Sequence, residues 1–243
     1  MRPLSAAELL DVWEQGQALP PAQRALALLA PACPETGPEV LAGLSVGRRD
    51  ALLMTLREWT FGPQLELQAA CPGCAARQEA GIRLEELRLA EVECPETLSL
   101  AEGEYRVRFR LPDSLDLVAI AGCGSAEAGR ELLLERCVLS AERNGEPVAV
   151  GGLPADVCAA VSRAMADADP QADMRLALSC PSCGHPWEAI FDIAGFFWSE
   201  LQAWAWRTLR QVHTLASAYG WSEAEILALS PWRRQCYLDM VGA

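Results

Sequence analysis

Apolar residues recur along this chain in two periods, and the switches between them mark its elements. Residues 5–15 put Leu9, Leu10, Val12 and Trp13 on one helical face behind Ser5, which has Glu8 three positions on and so forms a capping box. After Pro20 and Pro21, QRALALLA predicts a second short helix that stops at Pro31, with loop from Pro31 to Pro38. Ser45 caps a stronger helix carrying Leu52, Leu53, Leu56 and Trp59 at helical spacing, ended by Phe61-Gly62-Pro63. There the period drops to two. Leu65, Leu67 and Ala69 alternate with polar residues up to Cys71, and Met174, Leu176 and Leu178 do the same up to Cys180, the mark of half-buried strands.

These two alternating runs belong to one repeated stretch. LELQAACPGCAARQEAGIRL and MRLALSCPSCGHPWEAIFDI superimpose at a constant offset: Cys71 on Cys180, Pro72 on Pro181, Cys74 on Cys183, Glu79 on Glu188. Each copy predicts a strand, a tight Cys-Pro-x-Cys turn and a second strand. Such a turn presents two sulfurs on one side, half of a tetrahedron, so the pair of turns predicts one closed four-thiolate site of Cys71, Cys74, Cys180 and Cys183 holding a structural zinc. Two disulfides are the rival in an oxidising compartment. A thioredoxin-like redox motif would open a helix, which Pro186 and the strand-like WEAIFDI oppose. His185 stands close enough to Cys183 to be an extra ligand, although four cysteines already satisfy the ion.

Between the repeats the character changes. LEELRLAE reads equally as strand or helix. TLSL and YRVRFRLP read as strands, a helix starts at Asp113-Ser114 and runs to Ile120, and a longer one spans AEAGRELLLERCVLSAE. Asn144-Gly145 is a turn, and LPADVCAAVSRAMADAD is a helix with Pro154 near its start. After the second repeat, Leu201, Ala205, Leu209, Val212, Leu215, Ala216 and Tyr219 form an apolar helical stripe that Trp198, Trp204 and Trp206 widen. Gly220 ends it; Ser222 with Glu225, then Ser230-Pro231, start two short helices. The expected fold class is α+β: helical N- and C-terminal segments joined by two zinc-knuckle β-hairpins (a split zinc ribbon), with an inserted small α+β unit. The expected division is 1–92 (N-terminal helices and first hairpin), 93–171 (the insert) and 172–243 (second hairpin and C-terminal helices, packing on 1–92).

Charge narrows the function. The 243 residues carry a net charge of −13, and all 20 basic residues are arginine, without a basic stripe. A zinc ribbon otherwise suggests a nucleic-acid-binding or transcription-related protein, which remains the alternative; this charge repels phosphate backbones. The six other cysteines (Cys33, Cys94, Cys123, Cys137, Cys158, Cys236) fall singly and read as small buried hydrophobes. No run reaches membrane-span length, and Asp11 and Glu14 interrupt any signal-like start, so the expectation is a soluble, cytoplasmic protein. No catalytic residue and no cofactor-binding loop is found. The only histidine besides His185 is His213, placed on the less apolar helix face, and four cysteines leave a zinc no open position for chemistry.

The stretch LSVGRRDALLMTLREWTFGPQLELQAACPGC, the later FRLPDSLDL and the C-terminal LASAYGWSEAEILALSPWRRQCYLDMV together resemble T4-type phage baseplate proteins, the hub and hub-assembly proteins of contractile tails, with relatives beside bacterial contractile injection systems. The resemblance implies a non-enzymatic structural or assembly role, other baseplate or tail proteins as partners, no nucleic acid, membrane or small-molecule substrate, and incorporation into a tail or injection-system particle.

Overall fold

The structure, a computed structural model, describes residues 1–89 and 95–242. Cys94 and the division near residue 93 lie outside the described residues. The chain opens with helices α1 (Ala6–Gly16) and α2 (Pro21–Ala32). The expected capping box is present: the Glu8 N–H donates to Ser5 Oγ at 3.3 Å, and the Ser5 N–H to the Glu8 carboxylate at 2.8 Å. Helix α2 does not stop at Pro31 but includes it. A proline that close to the C-terminus costs only one backbone bond, and the Cys33 N–H closes the last turn onto the Leu29 carbonyl at 2.9 Å. A further short helix, α3 (Pro38–Ala42), follows the loop that the sequence predicts.

Helix α4 (Val46–Phe61) begins at Ser45, whose hydroxyl accepts from the Arg48 N–H. Leu53, Met54 and Leu56 are fully buried, but Trp59, expected on the same face, is 47% exposed. Three charged residues of this helix are buried, Arg49, Asp50 and Arg57, and Arg57 is the one that reaches the hairpin. It donates to both Glu200 oxygens at 2.8 and 2.6 Å and to the Gly62 carbonyl at 2.7 Å, fixing the turn that leads into the first hairpin. That hairpin is β1 (Gln64–Ala70) with β2 (Arg77–Arg83), followed by the single turn α5 (Leu84–Leu87), so the part of LEELRLAE described here begins as helix.

The middle of the chain forms a four-stranded sheet in sequence order: β3 (Leu98–Glu102), β4 (Tyr105–Phe109), β5 (Val138–Arg143) and β6 (Glu146–Pro147). Between β4 and β5 lie α6 (Ser114–Ile120) and α7 (Ala126–Cys137); α8 (Ala155–Ala168) comes after the sheet. The helix expected over residues 126–142 thus ends at Cys137. Val138 and Ala141 leave it to pair with Phe109 and Val107 on β4, where the β-branched side chain packs on a half-buried sheet. Asn144 (φ 51°) and Gly145 (φ 88°) make the tight turn into β6.

The second repeat supplies β7 (Arg175–Ser179) and β8 (Pro186–Ile190), and the chain finishes with α9 (Ile193–Tyr219), α10 (Glu223–Ala228) and α11 (Pro231–Val241). The expected class holds: the protein is α+β, with small antiparallel sheets among helices.

The largest core is built from both ends of the chain. Leu28, Leu29, Leu53, Met54, Leu65 and Leu84 pack with Met174, Phe191, Ile193, Phe197 and Leu201. A second core joins Val107 and Phe109 to Leu134, Cys137, Val157 and Val161. The two meet at the N-terminus of α4. There the free helical N–H groups of Val46 and Gly47 find the Pro112 carbonyl at 3.0 Å and the Asp169 carboxylate at 2.9 Å.

Within the second unit Asp116 is fully buried. It accepts from Arg110 at 2.6 and 2.9 Å, from Arg136 at 2.7 Å and from the Asp113 N–H at 3.0 Å. Burial pushes this carboxyl up, but Arg110, the Asp113 N–H and Arg136 together hold it well below the usual carboxylate range. A lowered folded-state value stabilises above the unfolded carboxylate pKa near 3.9 and loses that stabilisation as pH falls below it. Asp116→Asn is expected to destabilise the protein by about 3 kcal/mol at neutral pH and to flatten the acid limb of the urea-denaturation profile; an unchanged profile would show that the cluster is not coupled to folding.

Candidate metal centre

The two repeated turns have one backbone conformation. In the first, the Cys71 N–H donates to the Ala76 carbonyl at 3.0 Å and the Ala75 N–H to the Cys71 carbonyl at 2.8 Å. In the second, Cys180 donates to the His185 carbonyl at 3.0 Å and Gly184 to the Cys180 carbonyl at 2.8 Å. The residue after the second cysteine is left-handed in both, Ala75 at φ 58° and Gly184 at φ 72°. Only the glycine adopts that region without strain, so at Ala75 the turn is held against an unfavourable backbone. The Gly73 N–H donates to Cys71 Sγ at 3.3 Å, tying the first sulfur to the backbone of its own turn.

The turns meet, and the four sulfurs of Cys71, Cys74, Cys180 and Cys183 all lie within 4.8 Å of one another. The cross-turn pairs are closest, Cys71 with Cys183 at 3.7 Å and Cys74 with Cys180 at 3.6 Å. Zinc–sulfur bonds of about 2.3 Å give a tetrahedron edges of about 3.8 Å, so the spacing fits one ion of that size. It is far beyond a disulfide bond of about 2.05 Å, and none of the described cysteines is in a disulfide. Cys71 and Cys180 are buried and Cys74 and Cys183 exposed, which puts the cluster at the protein surface with its inner half sealed. Among the described residues this is the one group of this kind.

Electrostatics make the cluster cation-seeking. Burial raises the Cys180 thiol, but the N–H groups of Cys183 and Ser182 and the thiols of Cys183 and Cys74 outweigh it and bring Cys180 to about 6. Cys183 is favoured as a thiolate by the backbone at His185, yet Cys74 and Cys180 push it up to about 12. One thiol ionises at its neighbours' expense, and a bound dication removes that conflict.

His185 does not join the sulfurs. Its ring lies over Gly73 of the opposite turn, so close that a Cβ on Gly73 would stand 3.1 Å from the His185 Cγ. The repeat does not signal this contact, since Gly73 aligns with Ser182 and His185 with Ala76; it arises only when the two turns stand face to face. His213 is exposed on α9. Of the other cysteines, Cys33 and Cys137 are buried as expected, whereas Cys123, Cys158 and Cys236 are only partly so. Beneath the cluster the hairpins face each other across Leu67, Ala80, Leu176, Leu178 and Phe191, an apolar groove continuous with the main core.

A mixed α+β chain whose two hairpins converge on four thiols is a protein with a candidate structural metal centre. The model of the T4 bacteriophage base plate protein family matches residues 22–198, and the chain belongs to that family. The match spans both hairpins and everything between them. It identifies a phage baseplate protein, whose surroundings are other baseplate or tail proteins. No curated protein and no solved structure matches the chain significantly. No helix among the described residues is long and apolar enough to cross a membrane.

Because the imidazole packs on Gly73 and leaves all four sulfurs in place, His185→Ala is expected to retain the metal content of the unaltered protein, measured by mass spectrometry of the native protein. Loss of the ion in that variant would make His185 part of the ligand set.

Proposed function

We propose that this chain is a non-enzymatic structural or assembly component of the baseplate of a contractile phage tail or a contractile injection system, and that Cys71, Cys74, Cys180 and Cys183 hold a structural zinc. The observation that carries the metal is the sulfur spacing, which suits a tetrahedral thiolate site and leaves no open position for a substrate. Family membership carries the baseplate role. Zinc binding would contribute folding free energy directly, on the order of 10 kcal/mol.

In this reading residues 1–92 and 172–243 are one body, clamped by the ion, and 93–171 is a unit inserted between the halves of the clamp. The shared core of Leu53, Leu65, Phe191 and Phe197 supports the first statement, and the separate core around Phe109 and Val161 the second. The partners are other baseplate or tail proteins.

Cys74→Ser or Cys180→Ser is expected to release the metal and to yield insoluble protein. Variants that melt and stay soluble like the unaltered protein would remove the ion from the account. A cobalt-substituted sample should show the absorption of tetrahedral four-sulfur coordination; a spectrum with nitrogen or water ligands would overturn the closed site. Mass spectrometry of purified tail particles tests the role, since a structural subunit is present at fixed stoichiometry and a transient assembly factor is absent.

A further inference from the structure

A groove opens where the start of α4 meets the unit built on the four-stranded sheet, and its lining comes chiefly from α7 and α8. Leu133 and Leu134 stand three and four positions after Arg130 on α7. Met165 and Ala166 stand four and three positions before Asp169 at the end of α8, so each set shares one helix face. Val46 and Pro112 complete the junction side, joined by the Val46 N–H donating to the Pro112 carbonyl at 3.0 Å. The groove measures about 240 Å³ and is mostly apolar.

The polar side chains of the lining are already engaged, with one exception. The Asp169 carboxylate accepts from the Gly47 N–H at 2.9 Å, Asp173 pairs with Arg175 at 2.9 Å, and the Ser162 hydroxyl donates to the Cys158 carbonyl at 3.0 Å. Arg130 is exposed at the rim and has no hydrogen bond or ion pair among the described residues. An apolar concavity at a junction of packed units, with one free polar group at its edge, has the make-up of an interface anchor site. Its volume lies below the roughly 300 Å³ at which small-molecule pockets begin, and suits a single side chain the size of leucine, methionine or phenylalanine. The one unmatched charge is positive, so the complementary neighbour of that side chain is a carboxylate.

We propose that this groove anchors a segment of another tail protein through one large apolar side chain, with an adjacent aspartate or glutamate facing Arg130. The chain's net charge of −13 repels a longer acidic run, so recognition is confined to a single carboxylate beside the anchor. Burial of the apolar side chain supplies most of the affinity, and the ion pair at an exposed arginine adds selectivity more than strength. This rests on the baseplate role only for the kind of partner. Its failure would leave that role standing, because particle content tests the role separately.

The test uses the full chain with its metal, labelled at the methionine methyl groups for magnetic resonance, with Met165 in the groove lining as the reporter. The probe is an end-blocked pentapeptide with one leucine followed by one glutamate among glycine and serine residues. It is titrated beside twins that carry alanine for the leucine or glutamine for the glutamate. A saturable shift of the Met165 signal is expected, with affinity falling at least about tenfold for the alanine twin and about threefold for the glutamine twin. Arg130→Gln is expected to erase the difference between glutamate and glutamine. Ala166→Trp, which puts a large side chain at an exposed position of the lining, is expected to abolish the shift. No saturable shift, equal binding of the alanine twin, a glutamate preference that survives Arg130→Gln, or binding that survives Ala166→Trp would overturn the proposal. So would a dimer of the chain that Ala166→Trp dissociates, which would assign the groove to a second copy.

Discussion

Four sulfur atoms from two turns far apart in the chain share one small volume, and that convergence constrains everything around it. A two-stranded hairpin is marginal on its own, and this protein has two that share no ladder with each other. What fixes them is their bases, sunk into the main core through Leu65 and Leu84 on one side and Met174 and Phe191 on the other, together with their tips, where the cysteines meet. Cys180 ionises readily at the expense of Cys183, whose thiol its neighbours push up, and a cation seated among the four sulfurs would relieve that conflict.

Buried polar contacts then set how the elements sit. Arg57 reaches from α4 to Glu200 on α9 and to the Gly62 carbonyl, linking the helix that enters the first hairpin to the helix that leaves the second. At the other end of α4, its unpaired N–H groups are completed by Pro112 and Asp169, and Arg49 reaches Ser114 at 3.4 Å. Contacts of this kind add little stability over a well-packed apolar substitute, but each admits few alternative arrangements. One helix therefore carries the geometric relation between the two larger cores.

Much of the local architecture was legible from short-range rules. Both capping boxes, at Ser5 and Ser222, the Asp113 cap, the Asn144-Gly145 turn and the left-handed Gly220 stop lie where the residues put them. The errors came where long-range pairing outweighed local preference. Val138 to Arg143 reads as the continuation of a strong helix, and it becomes a strand because Phe109 and Val107 offer it an edge. Trp59 has helical spacing with Leu52 and Leu56 yet faces outward, because the buried face of the helix centres on Leu53 and Arg57, the latter held by its distant partner Glu200.

The sequence by itself determined most of the elements, the α+β class and the identity of the four cysteines, because caps, turns, periodicity and a repeated motif are each written in neighbouring residues. Tertiary structure alone decided that the four sulfurs lie within one ion's reach, that His185 covers Gly73 instead of joining them, and that Arg234 is buried unmatched while Arg49 and Arg57 are paired. The reason is physical: pairing and burial depend on which distant segments share a core, and no local pattern encodes that choice.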